Sequence, residues 1–245
     1  MSLLSIVQQV ANKVVGTIPT TITAAIGSAD SNIQQIVSYV NEEGRQLGAR
    51  AAWQVLRKEA TFTTLNQEDQ GSVLSIAGPD FLFVVNETFW DRSTRRPVFG
   101  PKTAAEWQQL KAQLMQGPWY QFTLRGNHIL FIPVPAAGDA CFFEWVSKFW
   151  CTDLTGAAGK SAMTVDTDVA LLDEDIITLG AIWRFKQDKG LPWQDDADKY
   201  ENAVADAIAR DGVKPRINLA GLQSDIYPGI IVPAGNWPIS GEPSA

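Results

Sequence analysis

Acidic side chains are the residues of this sequence whose number and spacing come closest to supporting acid–base chemistry. Paired carboxylates serve hydrolases as general acid and base. The run at residues 173–175, however, falls where a helix is predicted to begin, and the helix dipole favours negative charge there. We therefore interpret the cluster as structural and keep a carboxylate-dependent hydrolase of cell wall or glycan as an alternative. Its candidate residues are Asp166, Asp168, Asp173, Glu174 and Asp175, or Glu144.

Other catalytic and ligand-binding patterns are incomplete. His128 is the one histidine, so a Ser-His-Asp or Cys-His arrangement would have to be built around it. The spacing of Cys141 and Cys151 fits neither a zinc site nor a CxxC redox motif, and we interpret both as buried thiols. The string GAAGKS at residues 156–161 is not a phosphate loop, because Leu154 stands where that motif needs its first glycine. The sequence predicts no enzyme, no metal site and no cofactor.

The densest positive patch lies in the segment WDRSTRRPVFGP and consists of Arg92, Arg95 and Arg96. Guanidinium groups pair well with carboxylates, so we predict that this loop forms salt bridges with an acidic neighbouring subunit or partner; a solvated loop and direct DNA binding are the alternatives. The formal net charge of −7 argues against wrapping nucleic acid, which needs clustered Lys and Arg. An acidic surface would instead repel the phosphates of a DNA duplex and let the duplex slide past.

The order of predicted elements is helices, then strands, then helices. Apolar residues recur at helical spacing over about residues 3–15 and 31–51, and again after residue 173 in two helices separated by Gly190. Between them, β-branched and aromatic residues predict strands. The strand segments are ATFTTL, SVLSIA, FLFVVNETFWDR, WYQFTLRG, HILFIPVP and ACFFEWVSKFW.

Local signals refine these elements. Gly126 and Asn127 tolerate the positive φ of a tight turn and predict a hairpin between two of the strands. A capping box of Thr103 and Glu106 predicts a helix over residues 103–115 within the strand region. In the second helix, Gly44 and Gly48 disfavour helix formation locally, which suggests that they allow a neighbouring helix to approach closely.

The sequence therefore predicts an α+β fold, in which N- and C-terminal helices form a bundle and an antiparallel β-rich domain is inserted between them. We expect residues 1–58 to supply the N-terminal helices, residues 59–165 the inserted domain, residues 166–212 the C-terminal helix pair, and residues 213–245 an extended arm.

The predicted arm is rich in proline and glycine, which excludes a helix or a central strand. It is nevertheless too apolar for permanent exposure. We expect it to dock on its own domain or, by strand addition, on another chain. The predicted docking residues are Ile217, Leu219, Ile226, Tyr227, Ile230, Ile231 and Trp237.

Three ordered strings of the sequence carry a family resemblance: NETFWDRSTRRPVFGPKTAAEWQQL, GPWYQFTLRGNHILFIPVPAAGDACFFEWVSKFW and VDTDVALLDEDIITLGAIWRFKQDKGLPWQDDADKYENAVADAIARDG. Over about residues 30–212 the chain resembles head-to-tail adaptor proteins of tailed bacteriophages, the group that includes tail tubular protein A of short-tailed phages. Residues 1–28 form an N-terminal extension beyond this resemblance.

The resemblance implies a structural virion protein of the neck, assembled in the host cytoplasm. In that family a dodecameric ring lies beneath the portal vertex, with the helical part and the arm on the portal and the β-rich domain toward the tail. Its implied partners are the portal protein, tail proteins such as the nozzle or tail hub, and further copies of itself. DNA would pass through the channel without specific binding, and no membrane is involved. Another tail-tube or tail-completion protein is the alternative.

Overall fold

The computed structural model describes residues 2–14, 21–113, 117 and 119–212. These residues form an α+β fold, which confirms the predicted fold class. The elements in chain order are α1 (Leu3–Lys13), α2 (Ser31–Arg50), β1 (Arg57–Thr63), β2 (Asp69–Ser72), α3 (Val73–Ala77), β3 (Phe81–Val84), β4 (Trp90–Asp91), β5 (Arg96–Pro97), α4 (Ala104–Ala112), β6 (Gln121–Arg125), β7 (His128–Ile132), β8 (Ala140–Ser147), β9 (Cys151–Thr152), β10 (Gly159–Lys160), β11 (Val169–Ala170), α5 (Glu174–Asp188) and α6 (Gln194–Asp211).

Side-chain caps explain where the helices begin. The Asp30 carboxylate accepts the amide N–H of Asn32 at the start of α2, and Asp173 does the same for Asp175 at the start of α5. Thr103 and Glu106 form the predicted capping box of α4. Each cap satisfies amide groups that have no partner within the helix. These helix starts agree with the sequence prediction.

Four helices pack around a first hydrophobic core, which we call the helical core. Helix α5 contacts α1, α2 and α6, and α1 also contacts α2. The N-terminal helix belongs fully to this core, because its apolar face is buried. Its backbone is tied to the end of the β region, where the Leu3 amide donates to the Asp168 carbonyl at 2.8 Å. The fully buried residues of α1 are Leu3, Ile6, Val7 and Val10.

The strands form three antiparallel sheets. The largest has the order β1-β8-β4-β5, and β3 also pairs with β8. Strand β8 is its centre and pairs with β1 over its first seven residues, from Thr63 opposite Ala140 to Arg57 opposite Val146. A second sheet has the order β2-β7-β6 and contains the predicted hairpin, with Gly126 and Asn127 at φ 57° and 63°. The third has the order β10-β9-β11, and its residues Cys151 and Ala170 belong to the helical core.

The first two of these sheets enclose a second core, which we call the aromatic core. Phe89 lies at its centre, with its ring 5.0 Å from that of Phe143 and 4.7 Å from that of Phe122. Phe131 meets Phe89 edge-on at 5.6 Å. Offset and edge-on contacts of this kind stabilise a core beyond the area that they bury.

Strand β8 connects the two cores. Its residues Cys141, Phe143 and Trp145 belong to the aromatic core, whereas Val146 belongs to the helical core. Just beyond the strand, Trp150 is fully buried in the helical core and donates its indole N–H to the Ser161 carbonyl at 2.8 Å.

Two local predictions are wrong. The segment SVLSIA is not a strand: residues Val73–Ala77 form α3, and Gly78 at φ 111° ends it by donating its amide to the Leu74 carbonyl. A glycine directly after a short apolar run is a helix-stop signal. The prediction for Gly44 and Gly48 is also corrected: the atoms nearest to an added Cβ belong to the Trp150 indole at Gly44, and to Leu56, Trp150 and Leu172 at Gly48, and none of these residues lies in a neighbouring α-helix.

Candidate docking surfaces

The segment at residues 92–96, which we call the arginine loop, follows β4 and ends at the first residue of β5. Its base is the fully buried Asp91. One oxygen of this carboxylate accepts the amides of Ser93 and Thr94 at 2.9 and 3.1 Å, and the other accepts the Thr94 hydroxyl at 2.5 Å. Arg95 then takes the left-handed backbone conformation at φ 57°. Hydrogen bonds to one buried carboxylate therefore fix the shape of the loop.

The three arginines of the loop have different surroundings. The Arg92 guanidinium lies 3.7 Å from the centre of the Phe142 ring and pairs with Glu59. The Arg96 guanidinium lies 5.4 Å from the Trp119 ring centre. Arg95 is exposed and forms no ion pair with another residue in the described part of the chain. Arg92 is thus held on the sheet, while Arg95 is presented outward.

Exposed aromatic side chains extend this surface. Phe99 and Trp119 are 40% and 41% exposed and meet edge-on with ring centres 6.1 Å apart. Beside the loop, a groove of about 300 Å³ follows the outer face of the sheet between Trp90 and Glu144. Arginine and aromatic side chains are enriched at protein–protein contacts. This composition suits a docking surface.

Three members of the acidic cluster predicted near residues 166–175 stabilise separate parts of the structure. The Asp166 carboxylate accepts the amides of Ala25 and Ile26, the latter at 2.8 Å. It therefore holds the segment between α1 and α2. Asp173 caps α5 through the amide of Asp175.

Asp168 is the most buried member of the cluster, at 1% exposure. It binds the Lys160 ammonium at 2.6 Å and the amides of Thr164 and Val165 at 2.7 and 3.0 Å. Burial acts to raise the pKa of Asp168, but Lys160 and these amides outweigh it and hold the pKa below its usual range. The Asp168 carboxylate is therefore buried and bound by donors from its own chain, and it stabilises this part of the fold.

Glu144, the other candidate acid of the hydrolase alternative, lies on the outer face of the sheet. It pairs with Arg57 at 3.4 Å and is 42% exposed. His128, the first residue of β7, contacts Asp69 of β2 at 2.9 Å. Burial raises the pKa of both Cys141 and Cys151 to about 12, which keeps these free thiols protonated. Within residues 2–14, 21–113 and 119–212, no group of three acidic, histidine or cysteine side chains is placed to hold a metal ion.

A buried charged network between the helices was not predicted from the sequence. Arg184 of α5 pairs with Glu43 of α2, and the same carboxylate accepts the Tyr200 hydroxyl of α6 at 2.6 Å. Arg184 also donates to the Gln46 amide oxygen at 2.6 Å. The network ties three helices together. Its signal in the sequence is a pair of opposite charges, each at a core position of an apolar helical stripe.

The predicted docking residues of the arm lie at residues 217–237, outside the described residues, so their role stays a prediction. Among the helices that the structure describes, none has the length and apolar character needed to span a bilayer.

The fold and its surfaces define an α+β protein with exposed arginine and aromatic groups suited to contacts with other proteins. A family model, that of the SU10 adaptor protein, matches residues 1–221. The chain belongs to the SU10 adaptor protein family, and it is a phage adaptor protein of a structural class. The match includes residues 1–28, which the resemblance to head-to-tail adaptors leaves out. A comparison with curated proteins found no match.

Proposed function

We propose that the chain is the subunit of a head-to-tail adaptor ring, which docks on the phage portal and connects it to the tail. Residues 213–245 form the portal-docking arm, and the arginine loop contacts a neighbouring subunit or a tail protein. The ring is dodecameric and lies in the virion neck, where DNA passes through without specific binding. Family membership supports the adaptor class, with portal and tail proteins as its general partners.

The observation that carries this proposal is the contrast between the end of α6 and the sequence that follows it. Helix α6 buries Tyr200 and Val204, but its last two turns add no buried residue, and Ile208 is 37% exposed. Immediately afterwards the sequence becomes apolar and rich in proline and glycine. Such a segment gains free energy when it orders on a partner, because it buries apolar area there.

In a ring, each such contact can be weak. Copies held together bind a symmetric partner with an effective concentration that raises the overall affinity by orders of magnitude. Each arm therefore needs modest affinity for the portal, while the assembled ring stays attached.

Deletion of residues 213–245 tests the portal contact. We expect the truncated chain to lose co-purification with the portal protein and to keep its thermal unfolding transition. A narrower variant, Ile230→Ser with Ile231→Ser, should weaken portal capture in the same direction. Leu154→Ser is the matched control, since Leu154 is an apolar residue outside the arm and is 70% exposed. This variant should bind the portal as the unmodified chain does.

Normal portal capture by the truncated chain would show that the arm is not the docking element. Binding of the intact chain to tail-tube proteins but not to the portal would instead favour a tail-tube or tail-completion protein.

A further inference from the structure

We propose that the arginine loop docks on the exposed face of helix α6 in a second copy of this chain, so that adjacent copies join head to tail. This inference rests on the proposed ring, and it names the two surfaces that meet.

The receiving surface is acidic and lies opposite the buried side of its helix. Successive residues of an α-helix are about 100° apart. Asp195, Asp198 and Asp206 therefore lie within about 80° of one another, nearly opposite Tyr200 and Val204. All three aspartates are exposed, whereas Tyr200 and Val204 are buried. We call these three aspartates the acidic face.

The carboxylates of the acidic face lack a cationic partner among the described residues of their own chain. The neighbouring acids differ, since Glu201 pairs with Arg50, and Asp196 pairs with Lys186 at 2.5 Å. Lys199 adjoins the face, with its ammonium 3.9 Å from Asp196. Small residues, Ala205 and Ala209, are exposed beside the aspartates, and they leave room for an incoming loop.

The donor surface is complementary in charge and already ordered. Asp91 fixes the shape of the arginine loop, and Arg95 points a guanidinium outward without an ion pair among the described residues. A preformed loop loses little conformational entropy on binding. The exposed Phe99 and Trp119 beside it add apolar area that a solitary salt bridge would lack.

The two surfaces lie on different parts of one chain. The Arg92 amide donates to the carbonyl of Ala140, at the first residue of β8, whereas Val146 at the other end enters the helical core. Strand geometry places these ends about 20 Å apart. Helix α6 packs on α5, on the side of the helical core. Pairing between copies satisfies both surfaces. A contact between two different patches repeats from copy to copy and closes into a ring when the rotation permits.

Charge reversal on the full-length chain tests the pairing. Arg95→Glu places a carboxylate of the loop against the acidic face, and Asp198→Arg places a guanidinium on that face against the arginines of the loop. Each variant alone should associate at least about tenfold more weakly than the unmodified chain, because like charges across an interface cost several kcal/mol. Sedimentation velocity at low ionic strength measures this association.

Mixing the two variants in equal amounts gives the decisive result. Residue 95 of each variant then faces a residue 198 of opposite charge on the other variant, so the mixture should recover most of the association that each variant lost. Arg125→Glu is the matched control: Arg125 is an exposed arginine at the end of a different hairpin, and its reversal should leave association unchanged.

Three results would overturn the pairing. They are an unmodified chain that stays monomeric at every concentration, an Arg95→Glu variant that associates normally, and a mixture no better associated than its components. If Arg95→Glu loses a tail protein but keeps self-association, the loop belongs to the tail contact. The arm is tested separately, by portal capture with the chain that lacks residues 213–245, so failure of the loop pairing and failure of the arm are distinguished.

Discussion

Arg184 and Glu43 form an ion pair inside the helical core, where the Glu43 side chain is fully buried and that of Arg184 is 10% exposed. The carboxylate has a second donor in Tyr200, and Gly180 provides the space into which it fits, since a Cβ at that position would overlap it. Buried charges are costly unless paired. The positions of α2, α5 and α6 are therefore coupled through one carboxylate.

Glu43→Ala should lower the free energy of unfolding by about 3–5 kcal/mol, because it leaves the Arg184 guanidinium buried without its partner. Arg184→Ala should lower the free energy of unfolding by a similar amount. Urea unfolding followed by tryptophan fluorescence measures both, with residues 1–245 intact.

The double variant, Glu43→Leu with Arg184→Met, removes both charges and fills the space with apolar groups. We expect it to be more stable than either alanine variant, since no buried charge remains. If the double variant is no more stable than either alanine variant, the two residues do not act as a pair.

Two glycines of the same helix should respond to alanine in opposite directions. At Gly44 a Cβ would overlap the Trp150 indole, which is buried and hydrogen-bonded. Gly44→Ala should therefore destabilise the protein by about 1–3 kcal/mol. At Gly48 the nearest side chains are 3.6 Å from the added Cβ, so Gly48→Ala should stabilise it by about 0.5–1 kcal/mol through helix propensity. Thermal unfolding compares the two; equal effects would contradict the packing of Trp150 on Gly44.

Asp168→Asn should destabilise the protein in a pH-dependent way. The pKa of Asp168 lies below its usual range in the folded state, so its contribution is complete above the unfolded-state pKa near 3.8. It is lost as pH falls through the lower, folded-state value. At neutral pH we expect a loss of about 1.5–3 kcal/mol, typical of hydrogen bonds to a charged group.

Urea unfolding at neutral pH and below pH about 4 checks this expectation, because the difference between Asp168→Asn and the unmodified chain should shrink in acid. Asp195→Asn is the control, as Asp195 is exposed on α6 and should show a small difference at both values. If the difference in unfolding free energy between Asp168→Asn and the unmodified chain stays constant with pH, the ionised Asp168 carboxylate is not the source of this stability.

Local signals in the sequence predicted the parts of the fold that depend on neighbouring residues. Thr103 and Asp173 mark helix starts through their own side chains, and Gly126 with Asn127 marks the hairpin. These features need no knowledge of distant contacts. The α+β class follows from the same local periodicities, since helical spacing flanks a central region of strand-like residues.

Features that depend on contacts distant in sequence were not predicted. Val73 favours a strand by its side chain, but its burial in the aromatic core and the stop at Gly78 place it in a short helix. The pairing of Glu43 with Arg184 joins residues 141 positions apart. The sequence could indicate the arginine loop by composition, but not that Asp91 orders it or that Phe142 underlies Arg92.

The β1–β8 ladder has a mechanical consequence. Tension applied at the arginine loop enters β8 near Ala140 and leaves it near Val146, where the strand joins the helical core. The ladder hydrogen bonds run perpendicular to that direction. A force along β8 therefore loads the seven residue pairs of β1 and β8 in shear. The pairs resist this force together and do not separate one by one. A pull on the loop meets collective resistance along the strand, and the force is delivered to Trp150 and the helices packed around it.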